Sequence, residues 1–397
     1  MARVYKNSTE LMNLSGVPIY LNDLRDACLM GRLNLFLQGD TGSGKTQLAA
    51  DTMAYFPGKS MFILGRNDMD IRELFQQINL DKLKNAKSSL ELKELTDKVD
   101  YNLMVVDELP NCVPAVRAQL FNLFDGYIEL NGRKYDLGKG YSVGIATGNI
   151  GQRFTESSNE LGRALKDRMH VIVDTDYFTP TPYNTLDILS TNRNPRIEFS
   201  GDEDKYKEII MQSGLLEQKD ATFEKLMIAN YLVHGLDYCL VGNQPASKRK
   251  MKEAWPNSVD NHGHGSDEAL VLPVSVRAAK AIITLSQALD EIAKSKGADQ
   301  VDNFESMMQA YKFVSAYSGV LNEAAVMANY NNDKYSAMDA IIASTQEQFR
   351  QQTSNIAAGL EMLASGKSNK KLFNRFAGRW EFMKNILDGL LKNKGKK

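Results

Sequence analysis

Apolar residues in the first 180 positions fall into short unbroken runs separated by stretches with helical spacing. Leu33, Leu35, Phe36 and Leu37 form one run, Ser60 to Gly65 a second, Leu103 to Val106 a third, Tyr141 to Ile150 a fourth and the segment MHVIV before Asp174 a fifth. Runs of this kind predict strands buried on both faces, as in a parallel sheet. Between them, Pro18 to Met30 places Tyr20, Leu21, Leu24, Cys28 and Leu29 at helical intervals, and Val113 to Phe124 repeats apolar residues every three or four positions. Gln47 to Met53 has helix-forming composition. From Asp68 to Leu95 the chain runs helix-like and rich in charge, with IRELFQQI and LKNAKSSLELKELTDKV as two amphipathic pieces, read either as a solvated helical face or as an inserted partner-contacting helix. Tyr127 to Leu137 reads as two short strands around Asn131-Gly132, a strong hairpin signal. Strands alternating with helices predict an α/β architecture.

The pattern changes after the proline-bearing stretch Asp174 to Thr185. Four amphipathic helices are predicted: YKEIIMQSGLLEQ, ATFEKLMIANYLVHGLDYCLV, SVRAAKAIITLSQALDEIAKS and VDNFESMMQAYKFVSAYSGVL. One interruption, Gly242 to Ala269, reads as a flexible loop holding Lys248-Arg249-Lys250 and His262-Gly263-His264. No third or fourth ligand follows the two histidines at a diagnostic spacing, so a metal site is not expected there. Past Leu321, Met338 to Phe349 and Asn355 to Leu363 look helical. From Leu372 the residues Phe373, Phe376, Trp380, Met383, Leu387 and Leu390 share one face, opposite Lys370, Lys371, Arg375, Arg379 and Lys384. The plain reading is a helix docked on its own subunit; a partner-binding helix, an anionic membrane surface and a nucleic-acid contact are the alternatives.

Composition narrows the setting. A chain of 397 residues should hold two or three domains. Its net charge of −1 gives no global positive field for nucleic acid, so any basic function is local. Cys28, Cys112 and Cys239 are far apart and form no C-x-x-C, which argues against a disulfide framework or a zinc site. The start, MARVYKNSTELMN, lacks the apolar core of a signal peptide, and no window approaches the length of a transmembrane span. A cytoplasmic protein is expected.

The chemistry lies at two strand ends. Gly39-Asp40-Thr41-Gly42-Ser43-Gly44-Lys45-Thr46 fits G-x-x-x-x-G-K-[ST] between a strand and a helix, with Gln47 next in the helix. Glycines let the backbone turn its N–H groups around a phosphate, and the helix presents its positive end to the same anion. Lys45 would reach the β- and γ-phosphates of ATP, and the Thr46 hydroxyl would bind Mg²⁺. In LMVVDE, Asp107 would hold Mg²⁺ through water, as the acid of a Walker B motif does, and Glu108 would orient and polarise the attacking water. Thr147 and Asn149 form a polar tip on the fourth strand, where either could touch the γ-phosphate or the water.

These pieces agree in order and spacing, and together the chain resembles an AAA+ ATPase of the MoxR and dynein-related branch. The resemblance rests on GDTGSGKT, LMVVDE, the hairpin directly before IATGN, ALKDRMHVIVD and PVSVRAA, over residues 20 to 320. It implies an α/β, P-loop AAA+ core with a parallel sheet at residues 1–177 and an all-α lid at 178–320; past Leu321 the resemblance stops, and residues 321–397 read as a helical extension with a basic tail. It implies that Asn149 is sensor 1, Arg168 the arginine finger inserted into a neighbouring subunit, with Arg163 the alternative, and Arg277 sensor 2. The hairpin at 127–137 would be the pre-sensor 1 insert, and residues 68–80 sit where the helix 2 insert belongs. The implied assembly is a homo-oligomer, a hexamer, that remodels a protein client, and the resemblance points to one carrying a von Willebrand factor A domain. A nucleic-acid motor or loader using the basic loop or tail is the alternative reading.

Overall fold

The computed structural model describes residues 3–4, 9–78, 93–149, 163–190, 197–198, 205–260, 267–365 and 370–394. Two compact units are formed: residues 1–220 with 287–302, and residues 221–286 with 303–397.

In the first unit, β1 (Arg3–Val4) and the hairpin β2 (Glu10–Leu14) and β3 (Val17–Tyr20) precede α1 (Leu21–Gly31). Then come β4 (Leu35–Gln38), α2 (Lys45–Met53), β5 (Ser60–Leu64), β6 (Gln76–Ile78), β7 (Lys93–Leu95), β8 (Leu103–Asp107) and α3 (Pro114–Phe124). The hairpin β9 (Tyr127–Leu130) and β10 (Arg133–Asp136) leads to β11 (Val143–Gly148), α4 (Arg163–Lys166), β12 (Val171–Asp174), α5 (Pro182–Ser190), β13 (Ile197–Glu198) and α6 (Lys205–Glu217). Five strands form one parallel sheet in the order β12-β4-β11-β8-β5. Strands β4, β8 and β11 are buried along their whole length, which is why their sequences are apolar without alternation. At the edge, β5 alternates instead, leaving Phe62 and Leu64 exposed, so it is a half-covered strand and not the fully buried one expected.

Buried Asn34 ties the bottom of this sheet together. Its side-chain amide donates to the carbonyls of Phe124 (2.7 Å) and Arg168 (3.0 Å), and its side-chain oxygen accepts from Gly144 N–H (2.9 Å). Gly144 is glycine for steric reasons: a Cβ there would lie 2.5 Å from the Phe124 ring.

The charged stretch after Asp68 is not helical in its described part. A 3₁₀ turn (Ile71–Leu74) leads into β6, which pairs antiparallel with β7. The turn is set by tertiary anchors that override the helical period. Asp70 caps it by accepting from Arg72 N–H, Gln119 accepts from Ile71 N–H, and Ile71 and Phe75 are buried. The Phe75 carbonyl is then taken by Thr96 N–H. Most of the second predicted helical piece lies outside the described residues. The Asn131-Gly132 hairpin forms as expected, with φ of 52° and 74° at the two turn residues.

The second unit is mainly helical. It contains α7 (Phe223–Asn230), the hairpin β14 (Tyr238–Val241) and β15 (Gln244–Ser247), α8 (Lys248–Met251) and α9 (Asp267–Leu270). Helix α10 (Val276–Ser295) begins in it, and α11 (Asn303–Ser315), α12 (Glu323–Tyr330), α13 (Lys334–Ser365), α14 (Lys370–Phe373) and α15 (Glu381–Lys394) complete it. An α/β core followed by a helical region agrees with the sequence reading; the hairpin is an addition. It begins where a helix was expected to run on through YCLV, and its turn, Gly242-Asn243, has positive φ at both positions. The flexible loop expected from Gly242 to Ala269 is therefore ordered in its described part, while both histidines of the H-G-H segment lie outside the described residues.

Polar groups inside this unit are tightly matched. Asp267 and Glu268 are buried and receive the Arg379 guanidinium, with Nη2 2.6 Å from Asp267 Oδ1 and 2.9 Å from Glu268 Oε1. Ser344 also donates to Asp267, and Leu240 N–H to Glu268. Lys248, the first residue of the basic triplet, is buried, with its ammonium donating to the carbonyls of Asp267 (3.0 Å) and Val271 (2.7 Å). Burial pulls its pKa down to about 8, against the opposing pull of Asp267. The C-terminal residues Phe376, Trp380, Met383 and Leu387 are buried as their spacing predicted. Arg379 is not on the solvated basic face where the spacing put it.

Removing one partner of a buried ion pair leaves an uncompensated charge, at a cost of about 3–5 kcal/mol. Arg379→Met should therefore lower unfolding stability by that order in a urea titration. Burial raises the Asp267 pKa, but the Arg379 hydrogen bonds and charge outweigh it and hold the carboxyl below its ordinary value. A group depressed in the folded state stabilises above its unfolded pKa and loses that contribution as pH falls through the folded one. The difference between wild type and Arg379→Met should accordingly be full at neutral pH and shrink below about pH 4. A difference unchanged down to pH 2 would refute the ion pair.

Candidate active site

The parallel register brings four strand ends to one edge of the sheet. Gln38 is paired with Gly148 and with Asp174, while β8 ends at Asp107 one strand further on. Past Gln38 the chain turns through Gly39, Gly42 and Gly44, whose φ values of 144°, 85° and 82° suit glycine, and enters α2 at Lys45.

Within the loop, Lys45 is mostly buried. Its ammonium donates to the carbonyls of Gly39 (3.0 Å) and Asp40 (2.6 Å) and to the Ser43 hydroxyl (3.1 Å). Burial lowers its pKa, against the attraction of Asp176, Asp40, Asp107 and Asp174. The Asp40 carboxylate accepts from Thr41 N–H (2.6 Å). Thr46 donates to Asp107 Oδ1 (2.9 Å), and the Thr147 hydroxyl makes a short hydrogen bond to the same oxygen. Thr147 also accepts from the backbone N–H of Glu108 (3.1 Å). Glu108 itself has φ 54°, rare for a residue with a side chain, and its carboxylate accepts from Asn111 Nδ2 (2.7 Å). Gly65 backs this turn, since a Cβ there would lie 2.5 Å from the Glu108 carbonyl oxygen.

A cleft of about 520 Å³ opens over these groups. It is lined by Thr41, Gly42, Gly44, Lys45, Thr46, Gln47 and Ala50 from the loop and α2, and by Glu108, Thr147 and Asn149 from the neighbouring strand ends. The fold thus unites every loop residue, Asp107, Glu108 and Asn149, which the sequence separates by up to 110 positions.

Arg168 is elsewhere in the first unit. Its Nε donates to Asp125 (2.9 Å) at the end of α3, and its guanidinium lies 4.8 Å from the centre of the Phe121 ring. Arg163 opens α4, and the residues before it, from 150 to 162, lie outside the described part. Arg277 is in the second unit, in the first turn of α10. Sequence reasoning missed Asn111, Asp125, Thr175 and Asp176. Asn111 could have been found from its place three residues after Glu108, whereas the other three are brought close only by the sheet and α3. Among the described residues no helix is long and apolar enough to cross a membrane, and no group of three or more His, Cys, Asp or Glu could hold a metal ion.

Residues 34–169 match the AAA domain of the dynein-related subfamily. The fold is similar to that of a candidate ATPase from Cytophaga hutchinsonii, with a TM-score of 0.57 and 14% identity over 81% of this chain and 88% of that one. A full-length MCM homolog from Methanopyrus kandleri gives a TM-score of 0.46 and 12% identity over 75% of this chain and 55% of that one. No curated protein matches the sequence.

Thr147→Val keeps the shape of that side chain but removes the donor to Asp107 and the acceptor for Glu108 N–H. Leaving a buried polar group unpaired costs about 1–3 kcal/mol. Denaturant unfolding should show a loss of that size, and an unchanged midpoint would mean that the Thr147 bonds contribute nothing.

Proposed function

We propose that this chain, whose residues 34–169 are an AAA domain of the dynein-related subfamily and which is an ATPase, works as a ring whose hydrolysis cycle remodels a protein client. One observation carries the ring. Among the described residues that line the cleft, Lys45 is the one cation. Phosphoryl transfer spreads negative charge over the γ-phosphate oxygens, and a guanidinium added to the site is worth ~10³–10⁵ in rate in related nucleotide hydrolases. Supplied from a neighbouring copy, it would be Arg168, with Arg163 the alternative.

The remaining roles follow from position. Backbone N–H groups of residues 41–46 and the Lys45 ammonium would hold the β- and γ-phosphates of ATP, with Lys45 exchanging its loop carbonyls for phosphate oxygens. Thr46 and Asp107, already 2.9 Å apart, offer the hard oxygen donors that suit Mg²⁺. Held there, Mg²⁺ would supply positive charge against the charge of the phosphates. Glu108, exchanging Asn111 for a water, would orient the nucleophile, and Asn149 would hold the water or the γ-phosphate from the other side. Arg277 is proposed as sensor 2 and the helices after residue 178 as the lid and extension. A hexamer acting on a client with a von Willebrand factor A domain is the reading by analogy with the branch.

The nucleic-acid reading is weakened by the second unit. Lys248 is buried, Arg249 donates to the Val274 carbonyl and Arg379 is taken up by Asp267 and Glu268, so three of the basic residues of the proposed contact are used internally.

ATPase rate per subunit should rise with protein concentration as a ring assembles. Arg168→Ala should cut turnover by about a thousandfold or more without loss of assembly measured by mass. Glu108→Gln should retain nucleotide and abolish phosphate release. A concentration-independent rate that ignores Arg168 would remove the ring, and with it the remodeller.

A further inference from the structure

The phosphate loop has a second wall that none of the motifs describes. Strand β12 runs parallel to β4 and ends at Asp174, level with Gln38. The next two residues therefore travel alongside the loop. Thr175 is buried and donates its hydroxyl to the Gln38 carbonyl (2.9 Å), and that hydroxyl lies 2.8 Å from the Ser43 hydroxyl. Asp176 presents both carboxylate oxygens to one donor, the backbone N–H of Asp40, at 2.8 and 2.7 Å. Its own N–H donates to Asp174, which fixes its direction. The contact is close enough to dictate Gly39, where a Cβ would lie 2.5 Å from Thr175 Oγ1 and 2.8 Å from Asp176 Oδ1.

Two physical consequences follow, and they oppose one another. As a hydrogen-bond acceptor, Asp176 fixes the start of the loop and so pre-organises the N–H groups beyond it. As an anion, it sits on the backbone of Asp40, whose carbonyl Lys45 holds, and it is the foremost carboxylate attracting Lys45. It therefore competes with nucleotide for the charge of Lys45.

We propose that Asp176 is a positioning residue of the ATPase, which holds the phosphate loop through Asp40 N–H and, by its charge, weakens the hold of Lys45 on bound nucleotide so that product can leave. This rests on the assignment of residues 39–46 as the nucleotide site. Thr175 supports it by bracing Ser43 from the same side.

The two effects separate by substitution. Asp176→Asn keeps an acceptor for Asp40 N–H and removes the charge, whereas Asp176→Ala removes both. Affinity for Mg·ADP and Mg·ATP, and the ADP dissociation rate, would be measured on the full chain with a fluorescent nucleotide, with Lys45→Ala as control. Asp176→Asn should bind nucleotide about three- to tenfold more tightly than wild type, with slower ADP release, because the foremost charge competing for Lys45 is gone. Asp176→Ala should be about fivefold weaker than Asp176→Asn, the worth of one hydrogen bond. A residue that served structure alone would weaken binding in both variants. Asp176→Asn binding no tighter than wild type, or Asp176→Ala as tight as Asp176→Asn, would overturn the proposal while loss of binding in Lys45→Ala left the site intact. Undiminished binding in Lys45→Ala would instead overturn the site itself.

Discussion

Everything at the candidate site depends on the parallel register of four strands. Because β4, β11, β8 and β12 run the same way and end at nearly one level, their carboxyl ends meet along a single edge. An open α/β sheet puts its ligand sites at that edge. The register delivers the glycine loop from β4, Asp107 and Glu108 from β8, Thr147 and Asn149 from β11, and Thr175 and Asp176 from β12. A slip of one residue in any strand would turn its polar tip to the other face. At the opposite end of the same sheet, Asn34 holds α3, β11 and the approach to β12 by hydrogen bonds from one buried side chain. A polar residue placed there helps to specify the register, since its bond to Gly144 N–H needs β11 in place and its other two need the end of α3 and the turn before β12.

What the sequence makes legible is what is local. The glycine loop, the five strand runs, the Asn-Gly hairpin and the acid pair each announce themselves within about ten residues, because turn chemistry and continuous apolar runs are short-range signals. What fails is tertiary. Residues 71–78 have a helical period, but Gln119 and the burial of Ile71 and Phe75 pull them into a turn and a strand. Lys248 and Arg379 look like solvated basic residues, and only the folded second unit shows that Asp267, Glu268 and two carbonyls await them. Gly242-Asn243 was a readable turn signal between two short strands, hidden because the apolar residues before it also fit a long helix. Asp176 had no signal at all, since its partner is a backbone N–H 136 positions away.

One buried charge cluster of the second unit is neutral in sum. Asp267 and Glu268 are balanced by Lys248 and Arg379, and their remaining lone pairs are occupied by Ser344 and Leu240 N–H. A matched cluster of this kind is weak evidence for extra stability, because hydrophobic replacement of the whole set would do as well. It is better evidence for specificity. Arg379 belongs to the last 20 residues of the chain, and no other geometry of that segment would satisfy two buried carboxylates at once.

The position of Arg168 sets a limit on how an intersubunit site could form. Its guanidinium is held by Asp125 and by the face of Phe121 within its own subunit. Both Arg168 and Asp125 are partly exposed, so the pair is worth about 0–1 kcal/mol after solvent screening. A cation over an aromatic ring at such a site adds about 0.5–1 kcal/mol. A rate gain of ~10³–10⁵ from an arginine finger corresponds to about 4–7 kcal/mol of transition-state stabilisation. The intrasubunit contacts are therefore several times weaker than the interaction they would be exchanged for.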